Sequence, residues 1–304
     1  MKHRYTRAIR RLLHESAVEP VRGMRNALLL PRRIAAERTF SRSSRSPIYL
    51  GADALRALHE SYSVPAEYGY DKQSLLVRGQ ERARQVLGLP GVSKANSFLE
   101  IGCWDGMVSG ALCREGRQVT AVDTREEAFD ARASRQGVSL LKADASDMPF
   151  DDQTFDCVFA FDVFEHVGDP EAVLREAARV VRRGGVIFLQ FGSLYMSPFG
   201  LHAYRSITIP YCQFLFPRSL MDEFVDERGL PPIDYDQVNC WAPEDYRKLW
   251  RQQSSFLKTL TYRETTDLSH VGLIREHPSC FRSESESFED FIVSGIRVLF
   301  QRAG

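Results

Sequence analysis

The sequence predicts a doubly wound α/β sheet on three observations. Short apolar runs alternate with helix-patterned segments between residues 97 and 191. The run Phe155–Phe161 is apolar except for Asp156, as a strand covered on both faces requires. Three acidic residues, Glu100, Asp123 and Asp144, stand at the C-terminal ends of three such runs, where an open parallel sheet places its ligands.

The elements follow in order. Residues 1–45 hold twelve Lys or Arg against three Asp or Glu, a net charge of 12 − 3 = +9 in a chain that is neutral overall. The first 48 residues therefore read as a basic extension, and residues 49–304 as a mildly acidic body. The extension's charge suits an anionic membrane surface or a nucleic acid; its composition also fits a solvated, partly helical leader or an Arg-rich transit peptide. Asp71–Leu87 has apolar residues at helical spacing and stops at Gly88. Ser97–Ile101 is the first strand, and its Gly-containing turn leads into a helix over Met107–Arg114. Gln118–Val122 is the second strand, closed by Asp123, and Ser139–Lys142 the third. After the fourth strand, Phe155–Phe161, a helix opens with Asp169 as N-cap, Pro170 in first position and Glu171 near the positive end. Arg179, Arg182 and Arg183 are expected at that helix's negative end, with Gly184-Gly185 closing it. Val186–Phe191 is the fifth strand. From 193 to 255 the rhythm gives way to an insert rich in aromatics and proline. Strands resume at Phe256–Tyr262 and within Phe291–Gln301. The body thus divides into a cofactor half (71–192), an insert (193–255) and C-terminal strands (256–304).

The composition, 43% hydrophobic and 26% charged, is ordinary for a globular protein. Six scattered cysteines form no C-x-x-C pair, so neither a zinc site nor a disulfide framework is expected, and a reducing, cytoplasmic setting is. No apolar run approaches the ~18 residues of a membrane span.

The acids and glycines carry the chemistry. Gly102 and Gly106 allow close backbone approach at the first turn. Asp123 can accept both hydroxyls of a ribose, and Asp144, with the Ala145 backbone, can meet an adenine ring. A nicotinamide dinucleotide would use a similar outline but wants G-x-G-x-x-G, and here Gly102, Trp104 and Met107 occupy the three places. A bulky Trp where pyrophosphate should approach argues against a nicotinamide dinucleotide, and the turn by itself does not decide the cofactor.

From Phe98 to Phe191 the chain resembles the class I S-adenosylmethionine-dependent methyltransferase family. The likeness lies in Phe-Leu-Glu-Ile-Gly-Cys-Trp-Asp-Gly (98–106), Ala143–Phe150 with Phe155–Val158, Phe164-Glu165-His166-Val167, and Arg179–Gly185. It implies a seven-stranded Rossmann-like sheet with a final antiparallel hairpin, and S-adenosylmethionine as cofactor. It also implies a cofactor site at Glu100, Gly102, Cys103, Gly106, Asp123, Asp144 and Ala145, with Phe161 nearby. Trp104 departs from the family's glycine.

The sulfonium already activates the methyl, so in-line approach of the acceptor is the chief demand. A base matters only for an acceptor that loses a proton; the candidates are His166, His202 and Tyr204, with Tyr195 as a substrate contact. His270 and His277 read as structural or surface residues. The aromatic insert suits a pocket wall for a small acceptor and equally suits core packing. A small-molecule methyltransferase is therefore expected. The alternatives are an RNA methyltransferase, favoured by the basic arm, and a non-catalytic cofactor-binding scaffold. The oligomeric state is not legible.

Overall fold

The computed structural model describes residues 15–63 and 71–304, with side chains from residue 23 onward. The first fourteen residues of the basic arm lie outside the described residues. The chain divides into two compact units: unit one comprises residues 1–67, 193–244 and 265–295, and unit two residues 68–192, 245–264 and 296–304. Helices α1 (Glu15–Arg42) and α2 (Ala52–Ser61) belong to unit one. Unit two opens with α3 (Lys72–Leu87), then β1 (Ser97–Ile101), α4 (Met107–Arg114), β2 (Gln118–Asp123), α5 (Ala131–Arg135), β3 (Ser139–Lys142), β4 (Phe155–Phe161), α6 (Pro170–Val180) and β5 (Val181–Gly192). Further along the chain come α7 (Cys212–Leu215), α8 (Arg218–Glu227), α9 (Pro243–Gln252), β6 (Leu257–Thr266), α10 (Val271–Glu276), α11 (Pro278–Arg282) and β7 (Val293–Arg302).

The seven strands form one sheet in the order β3-β2-β1-β4-β5-β7-β6, the doubly wound architecture that the alternating pattern predicts. β1 to β5 pair in parallel. The last strand runs the other way: Gln301 reaches the Gly184 carbonyl while Arg297 reaches Gln190, an antiparallel sense against β5. The amide of Ala303 donates to Phe256, and that of Asp267 to Ile292, so β6 and β7 form an antiparallel pair. β4 is buried at six of its seven positions. Its one polar residue, Asp156, accepts bonds from the amides of Asn96 and Ser97 at 2.8 and 3.0 Å and pairs with Arg182 at 2.7 Å, fastening the N-terminal ends of β1, β4 and β5.

Helix α6 starts as its sequence requires, with the Asp169 carboxylate accepting from the Ala172 amide at 2.9 Å and Pro170 in the first turn. Its end differs from expectation. The helix stops at Val180, and Val181 already pairs with Phe155, so Arg182, Arg183 and Gly184-Gly185 belong to β5 instead of the helix terminus. Two buried β-branched residues in succession, Val180 and Val181, favour the strand, and an irregularity in the register between Phe155 and Cys157 absorbs the early start.

Unit one has its own core. Phe40, Tyr211, Phe214, Phe281 and Phe291 are buried and meet edge-to-face, with ring centroids 5.0–5.8 Å apart. The Tyr211 hydroxyl donates to the Phe291 carbonyl at 2.8 Å, which satisfies the one polar atom among these rings. The basic segment contributes here: from Glu15 on it is helical, and its Ala36 and Phe40 are core residues. Among the described residues no helix is long and apolar enough to cross a membrane.

Asp156 gives a measurable consequence. Burial opposes its charge, but the Ser97 and Asn96 amides and Arg182 outweigh burial and hold its carboxyl below the usual range. Asp156→Ala leaves two amides unpaired and is expected to cost about 1–3 kcal/mol, read by denaturant melts at neutral pH. Because the folded carboxyl is the stronger acid, that contribution is present above the unfolded value near 4 and fades as pH falls through it. A variant whose deficit persists undiminished at pH 3 overturns this reading.

Candidate functional site

The C-terminal edge of β1–β4 gathers the polar groups. At the end of β1 the chain leaves through Gly102, whose φ is +67°, and re-enters a helix through Gly106 at +72°. At Gly102 a Cβ would lie 2.3 Å from the Val163 side chain, so only glycine fits where β1 and β4 end together. The carbonyl of Val122 in β2 accepts the amides of Gly102 and Cys103 at 2.8 and 3.1 Å. The next amide, that of Trp104, donates to the Asp123 carboxylate at 2.8 Å. Trp104 itself is left-handed at +45°, a conformation that bulky residues rarely adopt.

Asp123 is 7% exposed. Its other oxygen accepts the Arg125 amide at 3.0 Å, with the Arg125 guanidinium 3.7 Å away. An ionised carboxylate offers about four lone-pair sites, so two amides leave acceptor capacity for two hydroxyls. The Asp123 carbonyl takes the Ala143 amide at 3.1 Å and so draws the loop after β3 alongside. In that loop Asp144 is exposed and accepts the Ser146 amide and hydroxyl at 2.8 and 2.7 Å, which hold its carboxyl below the ordinary range. Ala145 follows, half-buried.

Glu100 lies one layer deeper. Its carboxylate accepts the Ser109 amide at 3.1 Å and the Ser109 hydroxyl at 2.5 Å, tying β1 to the first turn of α4. Burial pushes this carboxyl up to about 8, against the pull of Ser109. Cys103 is buried, and burial likewise raises its thiol. Phe161 differs from the other site residues. Its ring sits in the core with Phe159 and Phe188, under the Arg82 guanidinium at 4.7 Å, so the ring's place is packing.

Beyond β4 a second polar group appears that the pattern of residues 71–87 conceals. Arg82, on the apolar side of α3, is buried and pairs with Asp162, a left-handed residue whose amide donates to Gln190. Glu165 is fully buried and accepts the Gly192 amide at 3.0 Å; among the described residues its other oxygen has no hydrogen-bond partner. Burial, then the neighbouring Asp162, raises its carboxyl well above the usual range. The adjacent His166 is exposed. Helix α9 covers this end through Tyr246, whose hydroxyl donates to the Phe164 carbonyl at 3.1 Å, and Trp250, which packs on Phe164 and Phe300.

The residues assigned to a cofactor by sequence therefore converge at one edge of unit two, with Phe161 turned to the core. Of the three assigned to catalysis, His166 shares that unit, and His202 and Tyr204 belong to unit one. His202 lies 2.9 Å from the Ser193 carbonyl through Nε2. A carbonyl only accepts, so Nε2 carries its hydrogen, and any base role would fall to Nδ1. Tyr195 is half-buried against Phe214, and burial raises its hydroxyl to about 12. Arg82, Ser109 and Val163 are the positions that sequence reasoning missed. Arg82 at an apolar helical position is the one signal that could have revealed any of them.

Residues 99–189 match the methyltransferase domain family. The ubiquinone biosynthesis O-methyltransferase of one Coxiella burnetii strain is 28% identical over 163 residues, which cover 48% of this chain and 68% of that protein. The enzyme of the same description from Rhizobium leguminosarum is 33% identical over 140 residues, 44% of this chain and 53% of that one. Apart from that Coxiella alignment, the chain spans about half the length of the curated relatives it matches. Among solved structures, a Pyrococcus horikoshii protein has a TM-score of 0.48 at 17% identity, covering 80% of this chain and 98% of its own. Geranyl diphosphate C-methyltransferase from Streptomyces coelicolor has 0.45 at 15%, covering 90% and 98%.

The raised Glu100 carboxyl yields a prediction with a definite sign. Between the unfolded value near 4.5 and about 8 the folded chain holds a proton that the unfolded chain has lost, so stability declines as pH rises across that window. Glu100→Gln keeps an acceptor for Ser109 and removes the titration. Its melting temperature relative to the parent is expected to rise steadily from pH 5 to pH 8. A difference that stays constant with pH sinks the assignment.

Proposed function

We propose a function for the chain from residues 99–189, which are a class I S-adenosylmethionine-dependent methyltransferase domain: transfer of a methyl group to a small-molecule acceptor in the cytoplasm. The observation that carries the reading is the turn Gly102–Gly106 closed against Asp123, with acceptor capacity remaining on that carboxylate. When bound, S-adenosylmethionine supplies a methyl already activated on a sulfonium. The Asp123 carboxylate would take the ribose hydroxyls, each such charge-assisted bond contributing roughly 1.5–3 kcal/mol. The loop with Asp144 and Ala145 would meet the adenine edge, and the Gly102–Gly106 backbone would pass close to the rest of the cofactor. Cys103 and Glu100 would shape that turn from beneath, through packing and through Ser109.

The named relatives act in ubiquinone biosynthesis as O-methyltransferases, which favours a hydroxyl on a ring as the acceptor here. A hydroxyl must lose its proton as the new bond forms, and an imidazole is suited to take it near neutral pH. Within the cofactor's own unit, His166 is the exposed imidazole, and we assign it that role. His202 and Tyr204 are the alternatives to be compared with it.

Calorimetry with S-adenosylmethionine tests the first assignment: Asp123→Ala is expected to abolish binding, and undiminished affinity would overturn it. Methyl transfer from labelled cofactor into a metabolite extract, with and without RNase, tests the second. Label confined to RNase-sensitive material contradicts a small-molecule acceptor. Among His166→Ala, His202→Ala and Tyr204→Phe, the first is expected to lower kcat by roughly 100-fold or more with cofactor affinity unchanged.

A further inference from the structure

Helix α1 has two faces of different character. On one, Leu29, Ala36 and Phe40 recur at helical spacing and join the core of unit one, Asn26 reaches the Thr266 carbonyl at 2.8 Å, and Arg33 pairs with Glu289. The other face is open. Met24 and Leu28, one turn apart, are 72% and 82% exposed, and Leu30 and Ile34 on the same helix are also exposed. Four of the nine large apolar side chains exposed among the described residues therefore lie on one helix. Arg25, Arg32 and Arg38 accompany them, and no exposed position from 23 to 38 is acidic. Met24, Arg25, Leu28 and Arg32, with Leu29 and Ser269, line a shallow depression of about 540 Å³.

Apolar side chains concentrated in this way mark a surface that something covers. The surrounding charge selects among the candidates. A nucleic acid would engage the arginines through its phosphates and leave Met24 and Leu28 wet. A second copy docked by two-fold symmetry would bring like charges together, since an isologous interface sets the same patch against itself. An anionic lipid surface meets both demands: Met24 and Leu28 enter the acyl boundary while the arginines meet headgroup phosphates. The basic excess of residues 1–45, twelve cations to three acids, acts in the same direction.

We propose that α1, through Met24, Leu28, Arg25 and Arg32, docks the protein on anionic lipid bilayers as an interfacial helix. The inference is independent of the acceptor's identity. Full-length protein would be sedimented with vesicles of phosphatidylcholine, alone or mixed with phosphatidylglycerol. Binding is expected to the mixed vesicles only and to weaken with added salt. M24E/L28E and R25E/R32E, whose fold is checked by circular dichroism, are each expected to lower partitioning by about tenfold or more. Because M24E/L28E also adds two negative charges, the neutral variant M24S/L28S separates the apolar helix face from the charge of the arm; it is expected to weaken partitioning too, and undiminished binding by it overturns the proposal. Undiminished binding by M24E/L28E overturns the proposal, as does a parent protein that ignores anionic vesicles. RNA binding by the parent that R25E/R32E abolishes, without vesicle binding, overturns it in favour of a nucleic acid.

Discussion

The bond from the Trp104 amide to the Asp123 carboxylate is the constraint on which the site is built. A left-handed bulky residue costs roughly 1–2 kcal/mol relative to an ordinary backbone. A hydrogen bond to a charged acceptor contributes about 1.5–3 kcal/mol, enough to hold Trp104 in that conformation. The two preceding amides, on the Val122 carbonyl, and the Ser109 bonds to Glu100 extend the same fastening from the strand into α4. Asp123 thus has a folding role in the turn, and a ligand role there would use the acceptor capacity that remains. Trp104, which stands between Gly102 and Gly106, is accommodated by backbone bonding that replaces glycine's freedom.

The boundaries of β1 and β4 were legible because burial on both faces writes itself as continuous apolar runs, whereas β3 is an edge strand with no buried position and shows only a short Leu-Leu pair. Ser97–Ile101, Ser139–Lys142 and Phe155–Phe161 are found where the runs lie. The end of α6 was not, because Arg179, Arg182 and Arg183 suit a helix terminus as well as they suit a strand. Only the pairing of Val181 with Phe155, a contact distant in sequence, decides between them. The same applies to the site. Glu100, Asp123 and Asp144 were recognisable as acids at strand ends, but their differing environments depend on Ser109, Trp104 and Ser146. Arg82 escaped notice since a lone arginine on a helix usually faces water, and its partner Asp162 is eighty positions away.

Unit one was the harder part to read for a physical reason. Its core is made of rings from four separate stretches, Phe40, Tyr211 with Phe214, Phe281 and Phe291, brought together edge-to-face. Aromatic residues in irregular backbone carry no periodicity, so their packing cannot be distinguished in sequence from the lining of a pocket. The structure assigns Tyr211, Phe214 and Phe216 to the core. The helical arm shows the same ambiguity, since its apolar residues serve the core on one face and remain in water on the other.

Four carboxyl-bearing residues near the same sheet edge show how cover, more than residue type, sets chemical role. Asp144 is exposed and held by hydroxyl and amide donors, so it stays ionised readily. Glu100 and Glu165 are enclosed, and burial raises both; a neutral carboxyl is what allows an acid to be buried with few donors, since an isolated charge in such a place would cost far more. Asp123 lies between, nearly buried yet met by two amides and an arginine. An acceptor that is already positioned by backbone donors needs no reorganisation to receive a further one. Glu100 and Glu165, enclosed and with their carboxyls raised by burial, are suited instead to holding strand to helix and strand to loop.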